Sequence, residues 1–342
     1  MIQNRKRLAY ISNTSCHHST EQHVMQSLIS LGHSVIPIQE NKYTPEEITN
    51  IIFDNPTDGV LYTRTWGLPG RQMMALWDRC KRAGIPTISY HLDLYYGLAR
   101  TDLNRALCLK GIRSMAEDPF WKTEYCFTVD GDPEAQKYFE SLGINHYFLR
   151  AGVFDKECYI APREDKYEII FVGSYNYHLE WNFRPQLIDW LYKVYGSRFT
   201  RFGNPAPDQP SAIHVRNDEL NKVYASSKIV IGDSLNPGFC KPYYSSDRIY
   251  ETLGRGGFLI YPYIKGLDEE FDDQKHLIFY SHGNLNDLKE KIDYWVDPLR
   301  DEEREKIRLE GHLLVKNNYT YKDRMAALMG KVFGLNERNN ID

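Results

Sequence analysis

The chain has 342 residues, 42% hydrophobic and 26% charged, which suits two α/β domains of ordinary size and excludes a disordered or fibrous protein. Its net charge of −4, from 42 Lys and Arg against 46 Asp and Glu with no long run of either sign, shows no dominant nucleic-acid footprint. Six cysteines (Cys16, Cys80, Cys108, Cys126, Cys158 and Cys240), with no C-x-x-C spacing, suit reduced thiols better than a zinc or redox site.

The N-terminus runs directly into a first apolar segment, and no stretch has the length of a signal-peptide core or membrane span, so a cytoplasmic chain is expected. Short apolar runs predict strands over Leu8–Ser12, Val35–Ile38, Gly59–Tyr62, Thr87–Tyr90 and Tyr125–Val129. Between them, Glu21–Leu31 sets Val24, Leu28 and Leu31 on one helical face and stops at Gly32, and Arg71–Arg82 reads likewise. The segment Ala151–Tyr167, with Gly152, Pro162 and a mixed charge cluster, suits an exposed connection between domains. A second series of strands is predicted over Glu168–Gly173, Phe199–Gly203, Lys228–Gly232, Gly257–Tyr261 and His276–Tyr280. A last helical stretch, Arg300–Phe333, contains a final helix starting near Tyr319 that buries Met325, Leu328 and Met329. Strands alternating with helices predict parallel sheets, and two Rossmann-like parallel-sheet domains facing each other across a central cleft.

The most informative stretch is Ser245–Pro262, which reads as loop, short helix, glycine turn and buried strand. Ser245, Ser246 and Asp247 are candidate N-caps, and a helix start at that point would offer its free N–H groups to a diphosphate. Arg248 and Glu251 share one face of that helix, so one ligand would meet a cation for phosphate and a carboxylate for vicinal hydroxyls; the alternative is a surface ion pair.

Arg248-x-x-Glu251, Gly256-Gly-Phe-Leu-Ile260, Gly266-Leu-Asp-Glu269, the strand His276–Tyr280 and Tyr319-Thr-Tyr-Lys-Asp-Arg324 together resemble the spore-maturation-protein-like group of glycosyltransferases, within glycosyl transferases group 1. The resemblance extends over Glu168 to Arg324 and is much weaker over residues 1–150. It implies the GT-B fold, with an N-terminal acceptor-side domain at 1–155, a nucleotide-sugar-binding domain at 156–318, and a C-terminal helix and tail at 319–342 packing back towards the first domain. It also implies that Glu251 contacts the donor ribose, that no cofactor or metal is needed beyond a nucleotide-sugar donor, a UDP-sugar being the first expectation, and that the anomeric configuration is retained.

Further candidates lie at the carboxyl ends of predicted strands. Gly173 and Ser174 close the first strand of the second domain, where a glycine lets backbone N–H groups approach a phosphate or sugar. Arg201 and Val215 end two more strands where the family's nucleotide base would sit, and Lys241 offers a second cation to the diphosphate or is simply solvated. In the first domain His17 and His18 follow strand one and are candidates to touch acceptor or sugar, although the glycine-rich form of many relatives is missing there. His91 and Asp93 are the catalytic candidates: Asp93 as the base of an inverting path, His91 as a polar group beneath the sugar of a retaining one, against the plainer reading that Asp93 caps and His91 packs. Asp132 is expected to cap the helix that begins at Pro133. The acceptor is left open between a small molecule, a glycan and DNA bearing hydroxymethylated pyrimidines; a nucleotide-sugar 2-epimerase and a non-catalytic nucleotide-sugar-binding protein are the competing readings.

Overall fold

The computed structural model describes residues 5–65, 70–92, 118–164, 166–175, 183–204, 215–234 and 242–335. The chain divides into one unit formed by Met1–Arg150 with Tyr321–Asp342 and another formed by Ala151–Thr320.

In the first unit, apolar runs flanked by turns become β1 (Arg7–Ser12), β2 (Ser34–Gln39), β3 (Gly59–Tyr62), β4 (Thr87–His91), β5 (Tyr125–Thr128) and β6 (His146–Phe148). Among the described residues they form one sheet in the order β2-β1-β3-β4-β5-β6, every pairing parallel. Leu8 lies opposite Val35 on one side and Gly59 on the other. Helices α1 (Thr20–Ser30), α2 (Pro45–Asp54), α3 (Gly70–Arg82) and α4 (Pro133–Ser141) return the chain to the same sheet edge each time. Their starts are chemically specified. The Ser19 side chain accepts from the Gln22 N–H, Thr44 and Glu47 form a reciprocal capping box ahead of Pro45, and Asp132 caps the helix opened by Pro133 as its sequence position predicts. A core of Ile11, Ile38, Ile52, Val60, Tyr62 and Trp77 packs between sheet and helices.

The second unit repeats the plan with β7 (Tyr167–Val172), β8 (Phe199–Phe202), β9 (Ser227–Ile231), β10 (Leu259–Pro262) and β11 (Ile278–Tyr280), in the order β11-β10-β9-β7-β8 and again parallel. Its helices are α5 (Phe183–Tyr195), α6 (Asn217–Ala225), α7 (Arg248–Gly254), α8 (Leu285–Trp295) and α9 (Asp301–Asn318). Ile169, Phe171, Leu187, Ile229, Ile260 and Trp295 belong to its core. The chain then re-enters the first unit as α10 (Tyr321–Phe333), which packs on α1 and buries Met325, Leu328 and Met329. Gly59 lets the Phe333 ring lie against β3, since a Cβ there would stand 2.8 Å from the ring.

In both sheets the chain leaves the first strand to one side and then crosses to the other, so the strand order reverses between β1 and β3 and between β7 and β9. Open parallel sheets bind ligands at such a reversal, beyond the carboxyl ends of the strands. Among the described residues no helix is long and apolar enough to cross a membrane.

Candidate functional site

In the second unit, the turn after β7 brings Gly173 and Ser174 to the reversal point, and the turn after β9 brings Asp233 and Ser234. Close approach of two turns defines this edge. The Gly173 N–H donates to the Phe202 carbonyl at 2.7 Å, and a Cβ on Gly203 (φ 148°) would run into the Gly173 carbonyl. Arg201, buried at the end of β8, donates from Nη1 to the Gly173 carbonyl and from Nη2 to the Asn204 carbonyl, each at 3.0 Å, so its guanidinium braces the two turns.

Three charged side chains converge there. Arg184, from the first turn of α5, donates from Nε to Asp233 Oδ2 at 2.7 Å, and Arg248, the first residue of α7, brings Nε to 3.6 Å from Asp233 Oδ1. The guanidinium carbons of Arg248 and Arg184 lie 5.0 and 5.9 Å from the centre of the Phe171 ring, a cation–π seat beneath both. Arg248 Nε and Nη1 are buried and donate no hydrogen bond among the described residues, and the Nη1 end lies against Gly173, within 2.6 Å of where a Cβ would stand. Burial alone would lower the Arg248 pKa, but the surrounding groups, Asp233 first among them, raise it above its ordinary value, so it stays charged. Two cations share the Asp233 carboxylate, with Asp247 acting on Arg248 as well, at the strand-order reversal where open parallel sheets bind ligands.

The helix start is arranged differently from the capping read in the sequence. Asp247 occupies the N-cap position of α7 with φ −55° and makes no side-chain cap bond, Ser245 is buried with its hydroxyl 3.4 Å from Tyr250 Oη, and Ser246 Oγ is a buried atom with no partner among the described residues. Helical dihedrals at Asp247 continue the spiral backwards, unlike the extended backbone of a capping residue. Glu251 lies one turn further along α7; its side chain is 22% exposed and its Oε1 stands 3.7 Å from Arg255 Nη2. Arg255 is in turn held by Glu157 and Asn221. Val215 is half-buried ahead of α6. His282, after β11, stacks on Phe183 at 6.0 Å, and burial lowers its pKa while Asp233 works in the opposite direction.

In the first unit His17 and His18 are exposed in the turn before α1, next to the cap residue Ser19. His91 is the last residue of β4, and its ring meets Phe120 and Trp121 edge-on at 5.5 and 6.0 Å. The reversal between β1 and β3 carries a polar cluster that the sequence did not single out: Glu40, 1% exposed, accepts from Tyr62 Oη at 2.7 Å and from the Thr65 N–H at 2.8 Å. Asp93 and Lys241 lie outside the described residues. Arg184 and Asp233 were also missed. The signal for Asp233 was a carboxylate one glycine beyond the apolar run Ile229–Ile231 that ends β9; Arg184 had no local signal, because its partner is 49 residues away.

Residues 184–330, from Arg184 through α10, match the family model described as glycosyl transferase-like. The chain has the GT-B fold, and these residues of it are glycosyltransferase-like. Solved structures agree across almost its whole length. A sucrose-phosphate synthase from Thermosynechococcus elongatus superposes with a TM-score of 0.65 at 11% identity, covering 96% of this chain and 100% of that one. HepE from Anabaena, solved with UDP and glucose, gives 0.65 at 10% identity over 97% and 100%. An α-glucosyltransferase solved with UDP-glucose and DNA containing an abasic site gives 0.67 at 11% identity over 96% and 99%. At these identities the likeness is one of fold. No curated protein matches the chain in sequence.

Proposed function

We propose that the protein transfers a hexose from a UDP-sugar to a hydroxyl acceptor, with retention at the anomeric carbon. The observation that carries this reading is Arg248: a charged guanidinium whose buried Nε and Nη1 make no hydrogen bond among the described residues, Nε lying 3.6 Å from Asp233 and Nη1 beside a glycine turn at the strand-order reversal. Such a group is costly unless an anion completes it. A nucleoside diphosphate fits, because its phosphates meet Arg248 while its ribose diol is within the province of Glu251, one helical turn away. UDP is favoured as the nucleotide because neighbours of the same fold were solved with UDP or UDP-glucose.

Catalysis then rests on stabilising the departing diphosphate, for which Arg248 supplies the developing charge with a fixed partner. Ser245, Ser246, Gly173 and Ser174 border the same place, and Lys241 adds a cation by its position in the chain. Arg201 and Val215 border the base, Arg201 by shaping the turns rather than by free nitrogens. On the acceptor side His17, His18, His91 and Asp93 remain the groups assigned to acceptor, sugar and proton transfer. The acceptor is a hydroxyl compound, with glycans and hydroxymethylated DNA as the two macromolecular classes to try.

The test is release of UDP from UDP-glucose by the wild-type protein and by Arg248→Ala, in the presence of pooled glycans or of an oligonucleotide carrying hydroxymethylated pyrimidine. UDP release that depends on one acceptor pool and is abolished by the substitution is expected. Release from no UDP-hexose with any acceptor contradicts the reading.

A further inference from the structure

The Arg184–Asp233–Arg248 cluster contains more than an anion site needs. Asp233 is 2% exposed at its side chain and lies where a bound diphosphate would have to approach two guanidinium groups, although a carboxylate repels phosphate. Its two oxygens are divided between the cations: Oδ2 takes the Arg184 Nε–H at 2.7 Å, and Oδ1 faces Arg248 Nε at 3.6 Å without accepting a hydrogen bond among the described residues. Both arginines are therefore engaged along their Nε edges. Their carbons also share the Phe171 ring, so carboxylate and ring fix them from two directions. Without Asp233 the two guanidinium groups would lose the carboxylate that faces both of them.

We propose that Asp233 is a positioning residue, the resident counter-ion of the diphosphate site, which keeps Arg184 and Arg248 assembled while no donor is bound. The inference rests on the donor reading above. Its consequence is a trade. A ligand anion supplies part of what Asp233 supplies, so neutralising Asp233 weakens the empty protein and makes it depend more on the anion. The same partial neutralisation limits how tightly the diphosphate product is held.

Thermal unfolding and calorimetry of the full chain test this with inorganic pyrophosphate and UDP as the probes, on wild type and Asp233→Asn. The Asn variant is expected to melt lower in buffer, to gain more in Tm from pyrophosphate and UDP than wild type does, and to bind pyrophosphate about tenfold more tightly, as removal of a nearby unit charge implies. Asp233→Glu, which keeps the charge, is expected to keep the wild-type pyrophosphate response. A lowered Tm with a response no larger than that of wild type marks a purely structural carboxylate and overturns the proposal. If Asp233→Asn does not fold in buffer, recovery by pyrophosphate supports the proposal and failure to recover overturns it. If wild type responds to neither probe, the donor reading fails, and the counter-ion role falls with it.

Discussion

Glu251 and Arg248 share a face of α7 but stand in different surroundings. Glu251 is partly exposed and stands 3.7 Å from Arg255, which Glu157 and Asn221 also hold, so its removal should leave the fold intact. Glu251→Ala is expected to raise the donor dissociation constant about tenfold or more, the weight of hydrogen bonds from ribose hydroxyls to a carboxylate, with little change in Tm; calorimetry beside a melting curve checks both. Arg248 meets Asp233 through Nε and leaves Nη1 beside Gly173. A lysine has one nitrogen for these two duties. Arg248→Lys is accordingly expected to lose most of the donor affinity despite keeping the charge, measured by the same titration. That Arg248 and Glu251 share a helix was legible because their spacing is local, three positions apart. The Arg184–Asp233 pair was not, because two chain segments far apart in sequence have to meet before either side chain has a meaning.

At the scale of elements, the turns after β7 and β8 depend on having no side chain where they touch. Gly203→Ala forces its Cβ into the Gly173 carbonyl, so it is expected to destabilise the second unit by roughly 1–3 kcal/mol and weaken donor binding at the same time, read from urea unfolding and titration. In the first unit β6 is pinned by His146, whose Nδ1–H donates to Gln136 Oε1 at 2.5 Å and whose Nε2 accepts from the Thr128 hydroxyl at 2.7 Å. An amide oxygen can only accept, so Nδ1 carries the proton, and burial disfavours a second proton on Nε2. Burial pushes its pKa down to about 4. The folded value lies below the unfolded one, so the unfolded chain binds more protons and stability falls as pH drops from about 6.5 towards 4, by roughly 3 kcal/mol in full. Denaturant unfolding at several pH values should show this slope, and His146→Gln should flatten its share. β6 itself escaped the sequence reading because His146–Phe148 is three residues long and opens on a polar ring, whereas the longer apolar strands announced themselves within a residue or two.

Over the whole molecule, alternating strands and helices with apolar runs specified two parallel sheets before any coordinates, because a strand buried on both faces needs a continuous apolar run and each crossover needs a helix. Strand order was not specified locally. The two reversals, which place Gly173 beside Asp233 and the β1 turn beside the β3 turn, follow from long-range pairing. The C-terminal segment shows the same division: Met325, Leu328 and Met329 predicted a buried helix face, but its partner α1 lies at the other end of the chain. Because the proposed donor site would belong to the folded state alone, a nucleotide at a hundred times its dissociation constant is expected to stabilise the chain by about 2.7 kcal/mol.

The most direct measurement is calorimetric titration of the wild-type protein with UDP, GDP, dTDP and ADP, followed by the glucose conjugate of whichever binds. The account predicts selective binding of UDP with one site per chain, carried over to UDP-glucose. Heat from none of the four nucleotides would contradict a diphosphate site at Arg248, and with it the assignment of this chain as a nucleotide-sugar-dependent glycosyltransferase.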